Sequence, residues 1–118
     1  MSTQAIATRL VELIRQGQYD TAQAELYAED ALSIEPDHSP FLKTVHGLEA
    51  IKEKGKQFQE QIEEVHGGHV SDPLVAGEFF TVSSGIDVTF KGQGRTQIDE
   101  INVYRVKDGK IVLEQFFY

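Results

Sequence analysis

The stretch VYRVKDGKIVLEQFFY, from Val103 to Tyr118, has the pattern of two β-strands joined by a tight turn. Its Lys-Asp-Gly triplet is typical of a hairpin, and the residues on both sides of it alternate with a period of two. The stretch ends on three consecutive aromatic residues, although chain ends without packing partners usually fray. We therefore predict that the last strand is held by contacts on both of its faces.

Outward from this hairpin, the period of the apolar residues divides the chain into helices followed by strands. A period of 3.6 predicts helices over Thr3 to Gln16 and over Leu48 to His66. A second, short helix is predicted to begin at Asp20, which has the spacing of a capping box with Gln23. A period of two predicts strands at Ala31 to Glu35, His69 to Ala76, Glu78 to Phe90, Arg95 to Val106 and Lys110 to Tyr118. The sequence thus predicts one α+β domain, residues 1–118, with helices on one face of a curved antiparallel sheet.

Alternation assigns a side of the sheet to each strand residue. The inner face, toward the helices, should carry Phe80, Val82, Ser84, Ile86, Val88, Phe90, Ile98, Glu100, Asn102, Tyr104, Val106, Val112, Glu114, Phe116 and Tyr118. The outer face should carry Ile101, Val103, Ile111, Leu113 and Phe117. Because this outer set is also apolar and no helix remains to cover it, we expect a second copy of the sheet to do so, in a homodimer.

Composition narrows the class of partner. The net charge is −8 and basic residues are not clustered, so neither nucleic acid nor a membrane is an expected partner. There is no cysteine, and the histidines at 38, 46, 66 and 69 lack chelating spacing, so neither a metal nor another cofactor is expected. No secretory signal or membrane span is recognisable, which makes the cytoplasm the default location.

Three polar residues, Glu100, Asn102 and Glu114, fall on the face that should be apolar. Buried polar groups need hydrogen bonds, ion pairs or water, so these residues favour a pocket. Glu100 and Glu114 could share a proton across paired strands. Alternatively, they could form ion pairs with basic residues of the hairpins, that is, with Arg95, Arg105 or Lys110. Asn102 could hold a substrate carbonyl or satisfy a neighbouring backbone group.

Two motifs occur in order: LYAEDALSIEP at Leu26 to Pro36 and VYRVKDGKIV at Val103 to Val112, with HGLEAI and a long amphipathic helix between them. In this arrangement the chain resembles the nuclear transport factor two-like superfamily, particularly its SnoaL-like members. The resemblance implies a cone-shaped barrel, usually dimeric, whose curved antiparallel sheet wraps around the N-terminal helices and a pocket. Members include ketosteroid isomerases, polyketide cyclases, dehydratases and a protein-transport adaptor, so the fold alone selects no activity.

The resemblance to ketosteroid isomerases also implies roles for particular residues. Their proton-abstracting acid stands just before a proline, a place that Glu35 holds here before Pro36. Their protonated acid on the penultimate strand matches Asn102, and its tyrosine partner falls at about Leu10, which can donate nothing. Half of the oxyanion-binding apparatus is thus absent, so steroid isomerase activity is not expected. His38, in the loop after Glu35, is the candidate for a second acid or base.

The sequence leaves two functions open. In the first, a cofactor-independent enzyme acts on a small apolar carbonyl compound, with Glu35 as general base and Asn102 as oxyanion donor. The ligand would contact Tyr104, Glu100, Glu114, Phe116, Tyr118, Ile86, Val88 and Phe58. In the second, Glu35 is an exposed carboxylate at a strand end. The protein is then a non-catalytic homodimer that binds an apolar small molecule or another protein.

Overall fold

The computed structural model describes residues 1–40 and 42–118, which form an α+β fold, as predicted. Its helices are α1 (Thr3–Arg15), α2 (Tyr19–Leu26) and α3 (Leu48–Gln61). Its strands are β1 (Tyr27–Ile34), β2 (Val45–His46), β3 (Ile62–Val70), β4 (Leu74–Ala76), β5 (Phe79–Phe90), β6 (Gly94–Lys107) and β7 (Lys110–Phe117). None of the helices described here is long and apolar enough to cross a membrane.

Helix α1 begins at the predicted Thr3 and ends at Arg15, one residue before the predicted end. The Ser2 hydroxyl accepts a hydrogen bond from the Ala5 amide and so caps the first turn. Gly17 follows the last turn with a φ of 71°, a left-handed conformation that favours glycine. Between these ends, one face of the helix enters the hydrophobic core with Ile6, Ala7, Leu10, Val11 and Leu13.

The other two helices correct the sequence predictions. Asp20 does not cap α2, because the N-cap residue is Gln18, whose side chain makes no cap hydrogen bond. The helix predicted to continue to His66 ends at Gln61, and the following residues form β3, which is antiparallel to β5. Pairing with a distant strand outweighs local helix propensity in this segment. The strand predicted over 69–76 is accordingly divided between the end of β3 and β4.

The strands form one mixed sheet, which is not closed. Across the described residues its order is β2-β1-β7-β6-β5-β3, with β4 paired to β5. Strand β1 begins at Tyr27 rather than at the predicted Ala31, and it lies parallel to β7. The expectation of a purely antiparallel sheet is therefore corrected at this pair. The connection from β1 to β7 passes through α3 and the other strands, and it is long enough for parallel pairing.

The pairing of the last three strands confirms the predicted inner face. Asn102 stands opposite Val82 on β5 and opposite Phe116 on β7. Tyr104, two residues further along β6, stands opposite Glu114. Val82 and Tyr104 belong to the same core cluster as the buried face of α1. The inner face is thus the one that the helices cover.

One residue of the last hairpin lies on the opposite side from its prediction. The pairing of β6 with β7 shifts between Arg105 and Val106, so that Ile111 stands opposite Val106. Ile111 is 0% exposed and takes the place in the core that was predicted for Val112. The prediction that Ile111 faces outward is therefore wrong. A β-bulge reverses the alternation at the start of β7, which local alternation alone does not reveal.

Part of the inner face remains accessible. The helices bury Phe80, Val82 and Tyr104, and Val88 and Phe90 are buried further along β5. Between these groups the side chains are only partly buried, and we call them the accessible patch: Ser84, Ile86, Ile98, Glu100, Phe116 and Tyr118. The candidate functional site is built around this patch.

Candidate functional site

Glu35 lies directly after β1 and points into the protein. It is only 6% exposed, so the alternative of an exposed strand-end carboxylate is wrong. Its Oε2 accepts a hydrogen bond of 2.7 Å from Lys54 Nζ in a buried ion pair. Its Oε1 accepts one of 2.7 Å from the Tyr118 hydroxyl, which also lies 2.9 Å from Ser39 Oγ. Burial raises the pKa of Tyr118 to about 12, so that this phenol remains a donor.

Lys54 is the site residue that the sequence interpretation missed. It lies on α3 with its side chain buried, and its ammonium also donates to Ser33 Oγ at 2.6 Å. The same ammonium lies 5.5 Å from the ring centre of Phe116. Lys54 follows Ile51 by three positions and precedes Phe58 by four, so it belongs to the apolar stripe of the helix. A lysine at a core position of the helix is the signal that could have identified this residue.

Glu114 lies behind this ion pair and is buried. It accepts hydrogen bonds from the Tyr27 hydroxyl and, at 2.6 Å, from the Ser33 hydroxyl. Burial raises the pKa of Glu114, while the hydrogen bonds from Ser33 and Tyr27 oppose that rise. The contacts join six side chains in one polar chain, in the order Tyr27, Glu114, Ser33, Lys54, Glu35 and Tyr118.

Glu100 and Glu114 form neither a direct carboxyl pair nor the predicted ion pairs, although the charge of Glu114 contributes to the raised pKa of Glu100. The two are not cross-strand neighbours, because Tyr104 stands opposite Glu114. The basic residues proposed as their partners are engaged elsewhere: Arg95 pairs with Asp87, Arg105 pairs with Glu78, and Lys110 donates to the Glu25 carbonyl. Glu114 is held by hydroxyl groups instead, and Glu100 belongs to the accessible patch.

Glu100 and Asn102 lie next to each other on the inner face of β6. The Ser84 hydroxyl, opposite Glu100 on β5, lies 3.5 Å from Glu100 Oε1 and accepts a hydrogen bond of 3.1 Å from Asn102 Nδ2. Burial raises the pKa of Glu100 to about 7; a hydrogen bond from Asn102 opposes this shift, and the charge of Glu35 adds to it. Glu35 and Glu100 are therefore close enough for their charges to interact.

Comparison with known proteins identifies the family of this chain. A model of the SnoaL-like domain matches residues 1–118. The chain belongs to this SnoaL-like family. A candidate SnoaL-like polyketide cyclase from Mesorhizobium loti, also described as a carbohydrate phosphatase, is 39% identical; the match covers 100% of both chains with a TM-score of 0.93. No curated protein matches this SnoaL-like domain.

More distant structures share the fold of the SnoaL-like domain. A nuclear transport factor two-like protein from Burkholderia thailandensis is 17% identical, with a TM-score of 0.86 over 99% of this chain and 90% of that one. TerC, co-crystallised with polyporic acid, is 16% identical, with a TM-score of 0.75 over 99% of this chain and 92% of that one. The predicted superfamily is thus confirmed, and at these identities the likeness shows the fold alone.

The remaining predicted contact residues of the SnoaL-like domain differ in accessibility. Tyr104 is buried and stacks on Phe80, with 4.7 Å between ring centres, and Val88 is completely enclosed. Phe116 and Ile86 are partly exposed in the accessible patch. Phe58, on α3, meets Phe90 edge to face. A ligand on the patch would therefore meet the partly exposed residues first, with Tyr104 and Val88 packed beneath it.

The histidines of the SnoaL-like domain are dispersed. His38 lies on the exposed loop after Glu35, with the centre of its ring 5.9 Å from that of Tyr118. His66 forms a hydrogen bond with the Thr89 hydroxyl, and His46 forms one with the carbonyl oxygen of Asp30. Across residues 1–40 and 42–118, no three His, Asp or Glu side chains are grouped so that they could hold a metal ion.

The buried pair of Lys54 and Glu35 generates a prediction about stability. Lys54→Met leaves a carboxylate buried without its cation, which should lower the free energy of unfolding by about 3–5 kcal/mol. Adding Glu35→Gln should recover most of that loss, because no charge then remains unpaired. Urea unfolding of the single and double variants measures the coupling. The exposed pair of Asp87 and Arg95 is the control, with an expected coupling below about 1 kcal/mol.

Glu100 should make stability depend on pH. Its pKa is about 7 in the folded protein and 4.5 ordinarily, so between these values the folded state binds more protons than the unfolded state. Stability should therefore fall as the pH rises through this window. Glu100→Gln should become progressively more stable than the wild type over the same range, by on the order of a few kcal/mol. Parallel stability curves for the two proteins would contradict this, and the exposed Glu63→Gln is the control.

Proposed function

We propose that this SnoaL-like domain is a cofactor-independent acid–base enzyme of the isomerase, cyclase or dehydratase type. Its substrate is a small apolar carbonyl compound, and Glu35 is the general base. The observation that carries the proposal is a pair of inner-face carboxyl groups in contrasting surroundings. Glu35 lies against an ammonium group, whereas Glu100 makes no ion pair within the described residues and is largely neutral below about pH 7. Such contrasts are typical of acid–base sites.

Glu35 retains the capacity to accept a proton. Each of its oxygens accepts one hydrogen bond from a side chain, from Tyr118 and Lys54 respectively, and a carboxylate oxygen can accept two. In the proposed reaction Glu35 removes a proton α to the carbonyl while these two contacts hold its orientation. His38, exposed beside Tyr118, is assigned the exchange of that proton with solvent.

Glu100 is assigned the stabilisation of the developing oxyanion. In its neutral form it can donate a hydrogen bond to the substrate oxygen as negative charge accumulates there. The resemblance to ketosteroid isomerases suggested Asn102 for this role, but Glu100 lies on the same face and is the group that titrates. Phe116 and Ile86 would supply apolar contacts to the carbon skeleton of the substrate.

The comparisons support the reaction class without identifying a substrate. The Mesorhizobium loti relative, at 39% identity, is a candidate polyketide cyclase. TerC, which shares the fold alone, was co-crystallised with polyporic acid. Both are consistent with a small-molecule ligand.

A non-catalytic binding module is the second candidate function, and the ion pair favours it. Both oxygens of Glu35 are already hydrogen-bonded, so the carboxylate could serve only to hold α3 against the sheet. The accessible patch would then bind an apolar ligand without transforming it. The two functions differ in whether Glu35 takes part in proton transfer.

Proton exchange tests the proposed function. We expect the wild-type protein to accelerate the replacement of the C1 hydrogens of 2-tetralone by deuterium, followed by proton NMR in D₂O at mildly acidic pH. Glu35→Gln should lower the catalysed rate by about 100-fold or more, because the base is removed. Glu100→Gln keeps a donor and should retain much of the rate while losing the decline with pH near 7.

Glu63→Gln is the matched control for the exchange experiment, because Glu63 is exposed on β3. Its rate should equal that of the wild type. If the wild type is no faster than Glu35→Gln, the enzyme proposal is wrong and the binding module is preferred. Circular dichroism of each variant shows whether a lost rate reflects a lost fold.

We further propose that the protein is a homodimer through the outer face of the sheet. Because Ile111 lies in the core, the apolar residues of this face are Ile101, Val103, Leu113 and Phe117. Ile101 and Phe117 are 47% and 49% exposed, which is unusual for large apolar side chains grouped on one face. An adjoining apolar groove of about 190 Å³ extends it, lined by Leu74, Val75, Ala76, Phe79, Phe80, Thr81 and Val103.

Two charged substitutions test this dimer. Ile101→Asp with Phe117→Asp should convert a dimer into monomers, because each would place an unpaired charge in the interface. Light scattering after size-exclusion chromatography measures the mass. Val65→Asp is the control: Val65 is exposed but stands opposite Val88, an inner-face residue. A wild-type mass equal to one chain, or dissociation of the control, would contradict the proposal.

A further inference from the structure

Lys54 is a nucleophilic group that the proposed reaction uses only as a cation. Its side chain is 10% exposed, and its Nζ donates to Ser33 Oγ at 2.6 Å and to Glu35 Oε2 at 2.7 Å. An ammonium group has three hydrogens, so one of them has no hydrogen-bond acceptor in the described part of the chain. A lysine amine is the side chain that condenses with aldehydes and ketones. Lys54 therefore has the chemistry to react with the class of ligand already proposed.

The amine of Lys54 lies beside the accessible patch. Its Nζ is 5.5 Å from the centre of the Phe116 ring, and Phe116 is a partly exposed member of that patch. The carboxylate paired with the amine, Glu35, is close enough to Glu100 for their charges to interact. A ligand packed on the Phe116 ring would therefore have a primary amine and two carboxyl groups in its surroundings.

The contact with Glu35 supplies the base that activates this amine. An ammonium group cannot attack a carbonyl carbon, because its nitrogen has no lone pair. Transfer of one proton from Nζ to Oε2 along the 2.7 Å hydrogen bond gives a neutral amine and a neutral carboxylic acid. Burial favours such a neutral pair more than water does, because burial disfavours charged groups. The Ser33 hydroxyl holds the nitrogen in place, since it accepts from Lys54 while it donates to Glu114.

We propose that Lys54 forms a covalent iminium with an aldehyde or ketone bound on the accessible patch. The neutral amine adds to the carbonyl carbon, and one proton passes from the nitrogen to the former carbonyl oxygen. Glu35 then returns the proton that it accepted to the resulting hydroxyl group, which leaves as water while the C=N bond forms. The overall change converts an ammonium and a carbonyl group into an iminium and water. It needs no oxidant or reductant, and it keeps a positive charge beside Glu35.

This inference rests on the proposed function for its ligand class and adds a covalent route to the same proton transfer. The positive nitrogen of the iminium withdraws electrons from the α carbon, so Glu35 can remove an α proton and leave an enamine. Reprotonation of the α carbon and addition of water then release the carbonyl compound and restore the ammonium group. A compound that passes through the iminium exchanges its oxygen with water, whereas enolisation alone exchanges only its α hydrogens.

Reductive trapping tests the covalent step. With 2-tetralone and sodium cyanoborohydride, the wild-type chain should gain the mass of 2-tetralone less one oxygen atom, and peptide mapping should place this addition on Lys54. Lys54→Arg keeps a cation beside Glu35 but cannot form an iminium, so the addition should be absent. Glu35→Gln should slow it by about 10-fold or more, because the base is lost. Lys56→Arg is the matched control, because Lys56 is exposed on the same helix, and it should be labelled on Lys54 like the wild type.

Oxygen exchange gives a second measurement without a reductant. In water enriched in heavy oxygen, the wild type should incorporate the isotope into 2-tetralone about 10-fold or more faster than Lys54→Arg does. Mass spectrometry of the recovered ketone measures the rate. A structural ion pair that only positions Glu35 would leave this rate at the level of the variant.

The possible outcomes separate this inference from the proposed function. Deuterium exchange by the wild type without addition at Lys54, or addition there no faster than at the exposed lysines, would overturn the inference alone. Addition at Lys54 without deuterium exchange would support the inference and contradict the proposed function. If neither occurs, both are wrong. If Lys54→Arg does not fold by circular dichroism, the position and rate of the addition in the wild type decide the matter.

Discussion

The ion pair between Lys54 and Glu35 is the constraint on which the arrangement of the interior depends. Buried charges are tolerated only when they are paired and their remaining hydrogen-bonding capacity is used, and here Ser33 and Tyr118 use much of it. The parallel pairing of β1 with β7 places Ser33 beside Glu114, which completes the chain. Helix α3, the first strand and the end of the last strand must therefore be in place together. The aromatic end of the chain is held by this network.

Much of the architecture could be predicted because it depends on local periodicity. The apolar stripe and capping residues define α1, and the alternation along β5 and β6 gives the correct inner face. The same alternation placed Asn102 and Glu100 inside. These inferences need only the period of the pattern and the rule that a one-residue shift reverses every side chain. They do not require knowledge of which distant segments of the chain come into contact.

What could not be predicted depends on contacts between residues distant in the chain. The parallel pairing of β1 with β7 has no local signal, and β3 replaces the end of a helix because β5 is available to pair with it. The bulge that turns Ile111 inward depends on the register between two strands. Lys54 occupies a core position of α3, but its partners lie on β1 and directly after it. A buried lysine is acceptable only once those partners are known.

The two sides of the candidate site differ in how completely their polar groups are satisfied. Both oxygens of Glu35 are hydrogen-bonded, which holds the base in place, whereas Asn102 keeps a buried oxygen without a partner among the described residues. The hydrogen bonds of Glu35 contribute to the stability of the fold, whereas the unpaired oxygen of Asn102 lowers that stability.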